Sequence, residues 1–380
     1  MEMAARRALA DLKVGDAVAR IPKLTCLTIM TSGARDMIQG AGLDGSLGLA
    51  VAVMYERSLG EQSPWAPYLA ALPEQEPIPL VWSADEVEEL LRGTELHETV
   101  KEDGGVMWED WKESIEPLLP QIGSEFRSFF GFQHYLAART LIASRSFQID
   151  DHYHGVGMVP LADIFNHKTG AEDSSPSLSA DDISVSHDVD DDLEMIMVKD
   201  VKLGAEVFNT YGLLGNAALL HRYGFTEPDN PFDIVNIDLE LVLQWSASLF
   251  SGQHRRARLS LWRRLGSSNG FIDSILSVKS GKLSHITAEL SETLLLTKTI
   301  CKALLSLADL RESLYGENSI EDDIEALRRC CCIRDKKLYH SLMLRISERK
   351  ILQKFRVFAS SSSQVRTGEQ ASKRKKLKRK

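Results

Sequence analysis

The sequence predicts an α+β fold: a β-rich domain carrying a long helical insert, followed by an all-helical C-terminal domain. Three observations support this. Strand-like patterns with a Gly turn, Leu12–Pro22 and Val201–Phe208, stand near the two ends of residues 1–232. Between them, residues 35–145 are mostly helical in texture, so the insert interrupts a β domain. From Leu239 onward strand signals fade and long helical patterns take over. At 380 residues the chain is long enough for two domains and at most three.

The elements follow in order. Lys13-Val-Gly-Asp16 is a turn feeding a short strand that stops at Pro22, and Val201-Lys-Leu-Gly204 repeats that pattern, with Leu193–Val198 expected as the other arm of its hairpin. Within the insert, Ser83-Ala-Asp-Glu86 is a capping box ahead of Val87, Leu90 and Leu91. From Ser124 through Phe132, Tyr135, Leu136 and Leu141, apolar residues recur at helical spacing. Downstream, helices are expected over Leu239–Phe250, Arg255–Leu265, Ile286–Leu314 and Ile320–Phe358, the last with Ser319 as N-cap and Asp322 three residues on. The expected domains are 1–232, 233–358 and a disordered basic tail, 359–380, opened by the aperiodic Ser360–Ser363.

Composition narrows the function classes. Hydrophobic residues make up 43% of the chain and charged residues 26%, the balance of a soluble globular protein rather than a disordered or collagenous one. The longest apolar run, Leu47–Tyr55, is half a membrane span, and Met1–Arg20 carries Glu2, Asp11 and Asp16 without the apolar core of a signal peptide. No membrane partner is expected. Of the five cysteines, Cys26, Cys301 and the run Cys330–Cys332, none forms a CxxC pair, so no metal site is expected. The run reads as reduced thiols on an amphipathic helix, with no chemistry of its own. The formal net charge is −9, yet the last ten residues carry seven Lys or Arg, leaving −16 on the rest. An acidic body repels phosphates, which disfavours a nucleic-acid partner. The tail Lys373–Lys380 reads either as a nuclear import signal for an import receptor or as a nucleic-acid patch, and without interleaved aromatics the import signal is favoured. Ten Asp or Glu between Glu172 and Asp200 form either a solvated loop or an electrostatic lure for a basic peptide.

Three short clusters can carry chemistry. Met158-Val-Pro-Leu-Ala-Asp-Ile-Phe-Asn-His167 ends an apolar run on Asn166 and His167, either a loop cap or a polar pair holding a ligand. Glu206-Val-Phe-Asn-Thr-Tyr-Gly212 is followed by Asn216 and Arg222-Tyr-Gly-Phe225, which places two Tyr-Gly pairs twelve residues apart. These are either core tyrosines or hydroxyls aimed into a cleft. Leu141-Ile-Ala-Ser-Arg-Ser-Phe147 sets Arg145 among apolar neighbours, where it snorkels or grips a carboxylate.

Taken in order, the clusters resemble the SET-domain protein-lysine methyltransferases of the Rubisco lysine methyltransferase type, closest to the nuclear branch known as SET domain-containing protein six. Trp65-Ala-Pro-Tyr-Leu-Ala-Ala-Leu-Pro73 with Trp82 is similar to that type's insert, and the likeness covers residues 5–350. It implies S-adenosylmethionine as cofactor and a lysine-containing protein as substrate. It also implies cofactor contacts from Arg145, Asn166, His167 and Tyr223, a catalytic Tyr211, and Ser146 and Asp163 lining the substrate-lysine channel. The location implied is the nucleus, with cytoplasm or plastid as alternatives.

Methyl transfer from a sulfonium to an amine is an in-line displacement, in which positioning and electrostatics do most of the catalysis. The attacking lysine has a reference pKa of about 10.4, so deprotonating it at neutral pH costs roughly 4 kcal/mol. A desolvated aromatic channel beside a cation lowers that cost. The resemblance also implies a strand with a Gly-x-Gly turn just ahead of Ala5–Asp16, which the sequence does not contain. Two readings stay open: an active methyltransferase, or an inactive SET-fold protein that binds a partner through its helical domain.

Overall fold

A computed structural model describes residues 6–149, 155–169, 176–178, 192–249, 278–279 and 298–377. The chain divides into two compact units, the first formed by Met1–Trp82, Val100–Leu214 and His221–Gly224, the second by Ser83–Thr99, Gly215–Leu220 and Phe225–Lys380. The boundary expected at 232/233 thus falls inside the second unit. The reason is local, because Asn216 is tied to Asp233 at both its backbone N–H (2.6 Å) and its side-chain amide (3.0 Å).

In the first unit, β1 (Ala17–Pro22), β5 (Pro176–Leu178) and β6 (Asp192–Met197) form an antiparallel sheet in the order β1-β6-β5. The register runs from Pro22 opposite Asp192 to Ala17 opposite Ile196, with an irregularity between Ala17 and Ala19. This corrects the expected hairpin: β6 pairs with β1 and β5, while 201–208 contributes only isolated bridges, Leu12 to Val201 and Arg7 to Glu206. The two Lys-x-Gly turns face each other. Asp11 accepts from Lys202 Nζ (2.8 Å) and the Leu203 N–H (3.0 Å), and Asp200 accepts from Lys13 Nζ (2.6 Å) and the Val14 N–H (3.1 Å). The repeated pattern in the sequence is therefore a reciprocal pair of contacts.

A second small sheet, order β2-β4-β3, joins Leu27–Thr28, Val156–Met158 and Ser146–Gln148. It admits only glycine at 157, since a Cβ there would stand 2.7 Å from Thr28 Cγ2 and 3.2 Å from the Leu27 carbonyl.

The insert is helical from α1 (Arg35–Gly40) through α2 (Gly45–Ser58), α3 (Ala66–Ala71), α4 (Ala84–Leu90) and α5 (His97–Asp110) to α6 (Phe132–Arg145). Leu49 through Met54 are all buried, so α2 is apolar all round and forms the centre of the core with Leu27, Phe130, Tyr135, Leu141 and Met158. Its one buried acid, Glu56, is fully used, accepting from Ser32 Oγ (2.8 Å), the Gly33 N–H (2.8 Å) and Ser63 Oγ (2.7 Å). The capping box at Ser83 and Glu86 forms as expected. A separate core of Ile21, Ile149, Val159, Phe165, Met195, Met197 and Val207 anchors the segment that carries the candidate site.

The second unit contains α7 residues Asn216–Leu220, α8 (Leu239–Leu249), the two-stranded β7–β8 pair (Ile234–Val235 with Val278–Lys279), α9 (Lys298–Ser313), α10 (Ile320–Arg329) and α11 (Lys336–Leu377). Of the helices expected here, Arg255–Leu265 and residues 286–297 lie outside the described residues. Ser319 and Asp322 form a second capping box. Inside this unit, Glu348 is fully buried and accepts from Tyr315 Oη (2.6 Å) and the Glu95 N–H (3.1 Å), with Arg311 3.6 Å away.

Two expectations are corrected here. Cys330–Cys332 do not lie on a helix: α10 ends at Arg329, and the cysteines form a connecting turn tied by Asp335, which accepts from the Cys331 N–H (3.3 Å). An Asp immediately ahead of a helix favours such a break, because it satisfies free backbone donors. The tail expected to be disordered from 359 continues α11 to Leu377. Its packed N-terminal part, with Ile351, Leu352 and Ala359 buried, supplies the nucleus, and extending a nucleated helix adds one hydrogen bond per residue.

Candidate active site

The site is built on two segments of the first unit lying side by side. The first leaves β4 (Val156–Met158) and passes through Leu161, whose φ of 73° is costly for a branched side chain, by about 1–3 kcal/mol, into a single tight turn, Ala162–Ile164. It ends on Asn166 and His167. The second runs from Glu206 to Tyr211 and turns at Gly212, whose φ of 112° requires glycine. A parallel bridge joins them: the Asn209 N–H donates to the Asn166 carbonyl (2.8 Å) and the Lys168 N–H to the Asn209 carbonyl (3.3 Å). This pairing uses the backbone of the residues flanking His167, so His167's own peptide groups face the opposite side.

Side chains reinforce the pairing. The His167 ring stacks on the Tyr211 ring (centroids 5.0 Å apart) and accepts the Tyr211 backbone N–H at Nδ1 (2.9 Å). That acceptor role places the ring hydrogen on Nε2, where Thr169 Oγ1 receives it at 3.0 Å. Tyr211 also lies 4.5 Å, centroid to centroid, from Tyr223, and its hydroxyl donates to the Phe165 carbonyl at 2.9 Å. Burial foremost, then the neighbouring Tyr223, holds the Tyr211 phenol well above its ordinary value. It is a neutral donor throughout the physiological range.

Asn166 donates its amide to Glu206 (2.7 Å), while its buried Oδ1 has no hydrogen-bond partner among the described residues. A buried acceptor left open suits the ammonium of an amino-acid moiety, and this is the observation on which S-adenosylmethionine fits the residues present.

A charged cluster completes the site. Arg145, at the end of α6, donates Nε to Glu76 (2.6 Å) and Nη1 to Asp163 (3.5 Å), both contacts largely buried. Burial would lower the guanidinium pKa, but Glu76 and then Asp163 carry it above the ordinary value. Asp163, its side chain 1% exposed, also accepts from Tyr68 Oη at 2.9 Å. Burial raises its carboxyl, with Tyr68 and Arg145 pulling the other way. Ser146 caps the end of α6 and pairs with Met158 at the start of β3.

The structure thus brings together Arg145 with Asp163, and Asn166, His167 and Tyr223 with Tyr211. Asn216 does other work: its carbonyl accepts from the Glu227 N–H (2.7 Å) and its amide donates to Glu227 and Asp233. Sequence reasoning missed Tyr68 and Glu76. Tyr68 lay within the quoted insert motif, but nothing in the sequence joins residues 68 and 76 to 163 and 145. Most of the acidic loop, residues 170–175 and 179–191, lies outside the described residues, as does the end of the basic tail, 378–380. Among the described residues there is no group of three metal-ligating side chains, and no helix is long and apolar enough to cross a membrane.

Comparison with known proteins points the same way. No protein-family profile matches the chain. It is 27% identical over 339 residues to the N-lysine methyltransferase setd6 of Salmo salar, covering 84% of this chain and 72% of that one. It is 28% identical over 344 residues to N-lysine methyltransferase SETD6 of Mus musculus, covering 83% and 68%. Among solved structures, the SET domain of LSMT bound to lysine and AdoHcy superposes with a TM-score of 0.60 at 22% identity, over 94% of this chain and 84% of that one, and shows that the fold is shared. The chain is thus similar in sequence to SETD6-type N-lysine methyltransferases and shares the fold of the LSMT SET domain.

Proposed function

We propose that the chain transfers a methyl group from S-adenosylmethionine to the ε-amine of lysine in a protein substrate, with Tyr211 as its catalytic residue. The observation that carries the reading is the Tyr211 phenol, in ring contact with His167 and Tyr223, together with the buried, open Oδ1 of the half-buried Asn166. S-adenosylmethionine supplies an electrophilic methyl carried on a sulfonium. Asn166 Oδ1 receives the cofactor's ammonium, the peptide groups of His167 receive its adenine, and Arg145 and Tyr223 flank it. The lysine enters along Ser146 and Asp163 and loses a proton to solvent. Its nitrogen then forms a bond to the methyl carbon as the carbon–sulfur bond breaks. Tyr211, neutral and fixed by Phe165, orients the amine through its oxygen rather than acting as a strong base.

The test is calorimetric binding of S-adenosylmethionine together with transfer of tritiated methyl to core histones as a lysine-rich acceptor. Binding with transfer supports the reading, and absence of binding overturns it. The basic segment Lys373–Lys380 supports a nuclear location through an import receptor. A fluorescent fusion that stays nuclear after deletion of 373–380 would count against that part.

A further inference from the structure

We infer that Tyr68, from the helical insert, is a positioning residue for the substrate amine: it holds the Asp163 carboxylate by Oδ2 so that Oδ1 is the acceptor for the target lysine's ammonium. The inference rests on the reading of Asp163 as part of the lysine channel, and assigns a role to a residue outside the segments that form the rest of the site.

Glu76 and Asp163 each carry one negative charge and Arg145 one positive, all with side chains at most 13% exposed. Glu76 already answers Arg145 at 2.6 Å, so the buried set retains one unanswered negative charge. Within that set, Asp163 Oδ1 is buried and has no partner among the described residues. A buried carboxylate with an open oxygen is costly unless a cation completes it. Lysine's compact ammonium, with three donors, matches one open oxygen and one charge. Tyr68 makes the shorter of the two contacts to the other oxygen, 2.9 Å against 3.5 Å from Arg145, and so fixes which oxygen stays open. Its own phenol is held far above the ordinary range, by burial and then by Asp163, and remains a donor at any working pH.

The groups facing Asp163 are Tyr68 on α3, Arg145 on α6 with Glu76 behind it, and Tyr211, whose phenol responds to the same charge. Removing the Tyr68 hydroxyl removes one bond that favours the ionised carboxylate, so Asp163 would protonate at higher pH.

The test titrates free L-lysine by calorimetry into protein saturated with S-adenosylhomocysteine, from pH 5 to pH 9. The wild-type chain binds lysine and loses it on the acid side. Tyr68→Phe binds about tenfold more weakly at pH 7, with its acid limb moved to higher pH and its affinity for S-adenosylhomocysteine unchanged. Glu76→Gln, which cancels the surplus negative charge, weakens lysine binding without altering Tyr68, and stands in should Tyr68→Phe fail to fold. Wild-type affinity and an unmoved acid limb in Tyr68→Phe overturn the inference, as does unchanged affinity in Glu76→Gln. If the wild-type chain binds S-adenosylhomocysteine but lysine at no pH, the inference falls while the cofactor site stands. Failure to bind S-adenosylhomocysteine overturns the functional reading itself.

Discussion

The Tyr211 hydroxyl donates to the backbone carbonyl of Phe165 at 2.9 Å, so the phenol oxygen is held by a group that carries no titratable proton. With its hydrogen committed to a peptide carbonyl, the oxygen presents its lone pairs to whatever lies beside it. Tyr211→Phe keeps the ring between His167 and Tyr223 and removes only that oxygen. The expected outcome is turnover lowered by roughly a hundredfold or more, with S-adenosylmethionine affinity within about twofold. Labelled-methyl transfer and calorimetry on the same preparation check it, and unchanged turnover would remove Tyr211 from the mechanism.

Asn166 separates two roles on one side chain, since its amide donates to Glu206 while Oδ1 is open. Asn166→Ala removes both and should weaken S-adenosylmethionine about tenfold or more. Glu206→Gln keeps a side chain of the same size that can still accept from Asn166, and should leave affinity closer to wild type. Calorimetry of both variants is the check, and equal affinities for Asn166→Ala and wild type would place the cofactor elsewhere.

The local rules were legible in sequence where they act over three or four residues. The capping box at Ser83 and the N-cap at Ser319 formed as read, and the apolar run Leu47–Tyr55 became the buried centre of α2. The core of the candidate site was legible as an ordered set of motifs, because Asn166, His167 and Tyr211 sit in short distinctive strings. What stayed hidden were pairings across long separations. Nothing local joins Tyr68 to Asp163 or Glu76 to Arg145, and the partner of β6 depended on residues far upstream. The cysteine run misled because the spacing on either side continues a helical period, whereas Asp335 ends it from outside the run.

The second unit should lose stability as pH rises. Burial pushes the Glu348 carboxyl up to about 8, with Arg311 opposing and Glu95 adding to the rise. A group whose folded pKa lies above its unfolded one keeps its proton longer in the folded state, so its contribution is present below the unfolded value, 4.5, and is lost as pH rises towards 8. Thermal melts between pH 5 and pH 8 should therefore decline, and Glu348→Gln, which cannot ionise, should flatten the slope. A variant with an undiminished slope would assign the dependence to other groups.

Thiol reactivity should differ sharply along the chain. The Arg334 and Ile333 backbone N–H groups pull the Cys331 thiol below its ordinary value, whereas burial pushes Cys26 up to about 11 and raises Cys330. Thiolate is the reacting form, so brief iodoacetamide treatment at pH 7.5 should label Cys331 at least tenfold faster than Cys26 and ahead of Cys330. Peptide mass spectrometry reads the order, and equal labelling of the three would contradict it.

The crossed contacts of Asp11 with Lys202 and Asp200 with Lys13 lie on the ribbon that leads into the candidate site. The same run of chain continues to Arg7, bridged to Glu206, and Glu206 in turn grips Asn166. A slip of one residue along this ribbon would turn the Glu206 carboxylate to the other face and strip Asn166 of its tether, although no residue between Arg7 and Asp16 belongs to the site. Backbone bonds between Leu12 and Val201 and between Ala8 and Ala205, flanked by two charges of each sign, thus hold the alignment on which a distant asparagine depends.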